Sequence, residues 1–205
     1  MSIGLDNTSY IIRLYLLCDV SGSMHGVRLI ALNRALNHAL THIQRSAQSR
    51  KVRVYVNALC YSTYAKWYCN DVLLEQCYWQ PIEQAQGISQ LGQAFKLLAS
   101  RFKTLADSPF DSTNIVLLFT DGKPTDAYQS SLQQLLQTRI GQNTIRLGFG
   151  LGSDTDLECL QAFQGTSVVP VFTRLAPFKH QLTHSLEHAL QLGYLRALKS
   201  LRLSI

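Results

Sequence analysis

Apolar and polar positions along this chain follow two alternating rhythms. Residues 10–18, Tyr-Ile-Ile-Arg-Leu-Tyr-Leu-Leu-Cys, are almost continuously apolar, as in a strand buried on both faces of a parallel sheet. Leu29, Leu32, Leu36, Leu40 and Ile43 then recur at three- and four-residue steps and predict a helix with one apolar stripe. A second strand is predicted over 52–60, with a turn at Ser62-Thr63 and an antiparallel return over 65–68. The stretch 70–88 is mixed and reads as irregular. Leu91, Phe95, Leu98 and Phe102 share one face of a helix over 90–105. A strand over 114–120 and a helix over 126–139 follow, the latter with Asp126 as its N-cap. A strand over 143–150, a short helix over 154–163 and a sixth strand over 168–172 come next. The last helix spans 177–198, with Pro177 suited to its first turn and Gly193 marking a point where it could be interrupted.

Strands alternating with helices imply crossover units and therefore an α/β fold. The expected architecture is doubly wound and Rossmann-like. Its central six-stranded sheet is mostly parallel, with one antiparallel edge strand and helices on both faces. No repeat, linker or low-complexity tract divides the chain, so one domain over 1–205 is expected.

Composition narrows the function classes. At 205 residues and 46 % apolar, the chain can bury a core without staples. Charged residues are sparse at 16 %, and 19 Lys and Arg outnumber 13 Asp and Glu. The resulting +6 permits an anionic partner. With no contiguous Lys/Arg block and no RNA-binding signature, nucleic acid is not the expected partner. No apolar run approaches the roughly 20 residues of a membrane helix, and the first ten residues lack the pattern of a secretory signal. Five cysteines without CxxC spacing indicate neither a disulfide framework nor a zinc knuckle. A reduced, soluble, cytoplasmic protein without a membrane partner is expected.

The chemistry gathers at predicted strand ends. In open α/β sheets the functional crevice lies beyond the carboxyl ends of the strands, where strand order reverses. Asp19-x-Ser21-x-Ser23 follows the first strand, Gly87-Ile-Ser89-Gln-Leu-Gly92 opens the helix at 90, and Thr120-Asp121-Gly122 follows the strand over 114–120. Asp19 and Asp121 with the hydroxyls of Ser21, Ser23 and Ser89 make an all-oxygen set suited to a hard divalent cation. Mg²⁺ is the first choice, with Ca²⁺ and Mn²⁺ compatible. Gly22 relieves the backbone between the two serines, and Gly87 and Gly122 lie next to the site. An open coordination position on the metal would recruit an acidic group from a partner.

Other groups carry weaker signals. An Asp at a strand end also suits a phosphoryl-transfer nucleophile, but residue 21 is Ser rather than the second Asp such sites carry. Neither GxSxG nor GxxxxGK[ST] occurs, and a non-enzymatic protein is expected. His25, beside the Ser23 loop, could touch a bound ligand. His38 with His42, and His180, His184 and His188, repeat a spacing of four that can chelate zinc. Phe178, Leu182 and Leu186 mark the buried side of that last helix, so its histidines are expected in solvent. Tyr61, Tyr64, Trp67 and Tyr68, with Tyr78 and Trp79 nearby, form either edge packing or a partner surface, since Tyr and Trp are favoured interface anchors.

The stretches Tyr15-Leu-Leu-Cys-Asp-Val-Ser-Gly-Ser-Met24, Leu91-Gly-Gln-Ala-Phe-Lys-Leu-Leu98 and Leu118-Phe-Thr-Asp-Gly-Lys-Pro-Thr-Asp126 resemble the von Willebrand factor A (vWA) domain. Within it they look like the bacterial TerY-like proteins associated with tellurite resistance, as does Gly148-Phe-Gly-Leu-Gly-Ser-Asp154. The resemblance implies a metal-ion-dependent adhesion site (MIDAS). In that pattern Ser21 and Ser23 are direct ligands, Asp19 is a ligand or an acceptor behind them, and Asp121 acts through a water. Ser89 stands where the family has a loop threonine, and Gln86 where it often has glycine. Ser62, after Tyr61, takes the place of a polar-acid position at the end of the second strand. The resemblance further implies a protein partner presenting an acidic residue, with a protein kinase and a PP2C-type phosphatase as family companions. An adaptor for a chelatase-like AAA+ ATPase is the alternative.

Overall fold

The computed structural model describes residues 10–49, 52–106, 112–165, 171–173 and 177–202. Its elements run β1 (Tyr10–Asp19), α1 (Val27–Ser49), β2 (Val52–Tyr61), β3 (Ala65–Leu73), α2 (Leu91–Ala106) and β4 (Ser112–Thr120). They continue with α3 (Tyr128–Gln137), α4 (Arg139–Asn143), β5 (Ile145–Leu151), α5 (Leu157–Gln164), β6 (Val171–Thr173) and α6 (Phe178–Arg202). The sheet order is β3-β2-β1-β4-β5-β6: five strands of seven to ten residues and a three-residue strand at one edge. The β2–β3 pair is antiparallel and every other pair is parallel.

Both faces of β1 are covered, which is why its sequence lacks alternation. Leu14, Leu16 and Cys18 pack with Leu32, Leu36 and Leu40 of α1 and Leu182 and Leu186 of α6. Tyr15 and Leu17 pack on the other side with Phe95, Leu98 and Phe102 of α2, Leu132 of α3 and Phe163 of α5. Each such Leu or Phe removed from water contributes ~1.5–3 kcal/mol. Among the described residues no helix is long and apolar enough to cross a membrane.

Several local expectations change. The antiparallel return runs to Leu73 rather than ending at 68, because the register with β2 shifts around Asn57 and pairing resumes at Val72. At that shift Asp71 adopts a left-handed φ of 49°, and its N–H donates to Asn57 Oδ1 at 2.8 Å. The predicted helix over 126–139 breaks into α3 and α4 at Thr138, whose hydroxyl accepts from the Gly141 N–H at 2.9 Å and caps the new helix. Asp126 does not cap its own helix. Its carboxylate accepts from the Gly92 N–H in the first turn of α2, at 2.9 and 3.2 Å. Gly193 does not interrupt α6; it admits Thr113 and Ile12 of the sheet, and a Cβ there would lie 3.1 Å from Thr113 Cγ2. Residues 168–170 of the predicted sixth strand, and the polar segment 1–9, lie outside the described residues.

Candidate functional site

The sheet reverses its winding between β1 and β4, and the β1–β4 register sets the site. Cys18 pairs with Phe119, which brings Asp19 beside Thr120 and hence Asp121 at the carboxyl ends of the two strands. Asp19 and Asp121 are both fully buried. The β1–α1 connection leaves the strand as one turn of 3-10 helix at Gly22–Met24. This turn carries Ser21 and Ser23 to the same side, their hydroxyls 3.2 Å apart.

The loop before α2 closes the third side. Gln86 N donates to Val20 O at 2.8 Å, Gly22 N to Gly87 O at 2.9 Å, and Gln90 N to Ser62 O at 3.0 Å. Ser89 O accepts from both Thr125 N and Thr125 Oγ1, at 2.8 and 2.9 Å. Gly87 has φ +82°, and a Cβ there would sit 2.4 Å from Thr63 Oγ1, so only glycine fits. These ties aim the Ser89 hydroxyl at Asp19.

Asp19 is satisfied entirely by neutral donors. Its Oδ1 accepts from Ser21 N at 2.9 Å, and its Oδ2 accepts from Ser89 Oγ at 2.8 Å and Thr120 Oγ1 at 3.1 Å. No Lys or Arg among the described residues comes within ion-pair distance of it. Burial pushes the Asp19 carboxyl up from its ordinary value; the hydrogen bonds from Ser21 and Ser89 oppose this, and the nearby Asp121 charge adds to it. Ser23 Oγ donates to Asp121 Oδ1 at 2.8 Å. A hydroxyl that gives its proton to a carboxylate keeps its lone pairs for a cation, and Ser23 and Ser89 are both arranged so. The donor set therefore fits a hard divalent ion. Among the described residues no group of three or more His, Cys, Asp or Glu is placed to hold a metal, so a cation here depends on hydroxyl oxygens.

The five residues Asp19, Ser21, Ser23, Ser89 and Asp121 thus form one hydrogen-bonded cluster. Gly22 and Gly87 meet through a backbone hydrogen bond, and Gly122 sits against Thr120 Oγ1 at the limit of hydrogen bonding. His25 is exposed, and among the described residues its side chain makes no hydrogen bond to the cluster. Three residues outside the expected set join in. Thr120 bonds Asp19, and Arg28, in the first turn of α1, reaches Asp121 and Asp154. A cation in the first helical turn opposes the helix dipole, and that is the one sequence signal that could have marked Arg28.

The aromatic group divides. Tyr61 is not a surface residue: it is fully buried, and its hydroxyl donates to Phe119 O at 3.3 Å. Its strand is covered on both faces, so an aromatic at the strand end points into the core. Trp67 packs on Tyr15, and Tyr68 donates to Gln80 O at 2.7 Å with its ring 5.3 Å from Trp79. Tyr64 and Tyr78 are 81 % and 82 % exposed. Beside the Ser62 turn an open groove of about 390 Å³ is lined by Val20, Tyr64, Lys66, Tyr68, Glu83 and Gln86. His180, His184 and His188 are exposed as expected. His38 bonds Thr183 across the α1–α6 seam and lies 6.2 Å from both the His42 and His180 rings.

Comparison with known proteins agrees with this fold. Solved structures of similar fold include a von Willebrand factor type A protein from Catenulispora acidiphila, with TM-score 0.64 and 17 % identity over 86 % of this chain and 42 % of that one. The pilus adhesin SpaC from Lactobacillus rhamnosus GG superposes with TM-score 0.73 and 13 % identity, over 91 % of this chain and 31 % of that one. The ArnB paralog VWA2 from Sulfolobus acidocaldarius gives TM-score 0.63 and 16 % identity, over 84 % of this chain and 44 % of that one. The chain spans less than half the length of each of these. No curated protein matches it in sequence. Residues 14–187 match the von Willebrand factor type A domain, whose members are typically protein-binding modules, and the chain belongs to that family.

Proposed function

We propose that this protein is a non-enzymatic adaptor that holds a divalent cation at the β1–β4 rim and uses it to grip a carboxylate of a protein partner. The observation that carries the reading is Asp19: a fully buried carboxylate met, among the described residues, only by hydroxyls and one N–H, with no cationic side chain in reach. A buried carboxylate without a counter-charge is costly, and a cation beside the exposed Ser23 would relieve that cost. Ser21, Ser23 and Ser89 would supply hydroxyl oxygens, Asp19 and Asp121 the negative charge. Mg²⁺ suits this set best, because it prefers oxygen ligands and keeps waters that a partner's carboxylate can replace. The cation supplies a Lewis-acidic point of attachment; the chain supplies its orientation and the adjoining groove for flanking residues of the partner.

The resemblance to TerY-like proteins extends this reading to a bacterial stress-response or phosphorylation-linked complex. There the acid-bearing partner would be a protein kinase or a PP2C-type phosphatase. Affinity purification in Mg²⁺ and in EDTA tests both levels. A set of proteins captured only with Mg²⁺, and lost in Asp19→Ala, is expected. Identical capture in the two buffers would sink metal-mediated recognition, and capture of an AAA+ ATPase alone would replace the kinase–phosphatase assignment.

A further inference from the structure

Among the described residues, Arg28 is the cationic side chain that pairs with the rim carboxylates. It projects from the first turn of α1, and its Nη1 lies 2.6 Å from Asp121 Oδ2 and 3.2 Å from Ser23 O. Its Nη2 reaches Asp154 Oδ2 at 3.1 Å on the β5–α5 loop. The guanidinium lies against Gly152, where a Cβ would come within 3.1 Å of Nη2 and 3.2 Å of Nε. Gly152, at φ +134°, thus leaves open the space that Arg28 fills. Asp154 is exposed, so the inner half of this bridge, on buried Asp121, is the one least screened by solvent.

The bridge changes what the rim offers a cation. Both oxygens of Asp121 are engaged, Oδ1 by Ser23 and Oδ2 by Arg28. A divalent ion bound by Ser21 and Ser23 would share Asp121 with a guanidinium that is also bonded to the Ser23 carbonyl. The two positive centres would compete for one carboxylate and repel each other. Among the described residues, Asp19 is left as the only buried carboxylate free of a cation.

We propose that Arg28 is a built-in counter-ion that sets how tightly this rim holds a divalent cation, keeping the affinity low until a partner's carboxylate adds negative charge. The inference rests on the metal-binding reading above. Arg28 acts through Asp121 and is a positioning residue rather than a ligand. Neutralising it removes the competitor, and a lysine in its place keeps the charge.

Calorimetric Mg²⁺ titration of the wild type, Arg28→Gln and Arg28→Lys tests this, with circular dichroism in EDTA to establish that each is folded. Arg28→Gln is expected to bind Mg²⁺ roughly tenfold more tightly, and Arg28→Lys to stay near the wild type. Acetate, a bare carboxylate, is expected to tighten Mg²⁺ binding in the wild type more than in Arg28→Gln. If the glutamine variant binds Mg²⁺ equally or more weakly, the inference fails while the metal site stands. If neither protein binds Mg²⁺ and both are folded, the metal reading itself is overturned and the inference with it. Should Arg28→Gln not fold, ¹⁵N spectra of the wild-type arginine side chains decide. The Arg28 Nε–H signal is expected to shift and exchange faster as Mg²⁺ is added, and an unchanged signal overturns the proposal.

Discussion

Two clusters of charge, at opposite ends of the sheet, are balanced in opposite directions. Near the start of β1, Asp71 lies between two arginines: Arg13 Nε at 3.6 Å from Oδ1, and Arg101 bonded to Oδ2. Arg13 also stacks over Tyr55 at 5.8 Å. Arg101 Nε and Asn114 Oδ1 are buried in this part of the α2 face without a hydrogen-bond partner among the described residues. Burial pushes the Tyr15 phenol far up, with the Arg13 charge opposing it. At the other end Arg28 pairs with Asp121, and Asp19 beside it has no ion pair among the described residues. Positive charge is in excess beneath α2, negative charge at the rim. The same residue types therefore make a structural brace in one place and, on our proposal, a cation receptor in the other.

The largest expected effect is at the brace. Asp71→Asn keeps a side chain that tolerates the left-handed backbone but removes the charge between two arginines. It should cost about 2 kcal/mol in urea unfolding, with the Mg²⁺ response intact. A variant that lost stability and Mg²⁺ response together would show that the two clusters are not independent.

At the rim, Asp19→Asn should do the reverse. Because burial raises the Asp19 pKa in the native state, the stability it contributes is complete below the ordinary carboxylate range and is lost as pH rises through the raised value. At neutral pH the wild type without metal therefore carries a penalty. Asp19→Asn should unfold no more easily than the wild type in EDTA at pH 7, and should show no thermal shift with Mg²⁺. A large loss of stability in EDTA would mean that the carboxylate is needed for the fold rather than for a cation.

A smaller pH effect separates the rim from the α1–α6 seam. Burial lowers the His38 pKa, and the charges of Lys179, His180 and His42 lower it further; Glu187, bonded to His42 at 2.7 Å, is the seam's acid. The native state then binds fewer protons than the unfolded chain below about pH 6.5. Stability present above that value is lost as pH falls toward the native one. His38→Gln should flatten this acid-side decline without altering Mg²⁺ binding, as followed by thermal unfolding between pH 5 and 8 at roughly the ordinary histidine range.

The smallest stability effect is expected at exposed Tyr64. Tyr64→Ala should change unfolding by less than about 0.5 kcal/mol while weakening Mg²⁺-dependent capture of a partner. Unchanged capture would remove the groove beside the rim from the docking surface.

Much of this was legible in the chain. Asp19, Ser21, Ser23 and Asp121 follow runs whose apolar content marks them as central strands, and a parallel sheet must place such ends on one rim. Ser89 was legible because Gly87 and Gly92 frame it at a helix start. Thr120 was visible beside Asp121, but its bond to Asp19 depends on the β1–β4 register, which neither strand encodes alone. Arg28 was missed because a lone arginine on an amphipathic helix looks like solvated surface. Its partners lie 93 and 126 residues away, on two different loops. Tyr61 was misplaced for a related reason: a strand covered on both faces carries no alternation from which to tell inside from outside.

The sequence by itself determined the alternation of strands and helices, the parallel core and the oxygen-bearing loops, since hydrophobic periodicity and glycine-bearing turns are local properties. Only the tertiary structure decided which charges would be neutralised. Asp126 was drawn to cap a neighbouring helix, Asp71 was enclosed by arginines from β1 and α2, and Arg28 was set against Asp121. Asp19 was left in the core with, among the described residues, only hydroxyls and an N–H for company. Electrostatic balance is a property of groups brought together from distant parts of the chain, and no local pattern contains it.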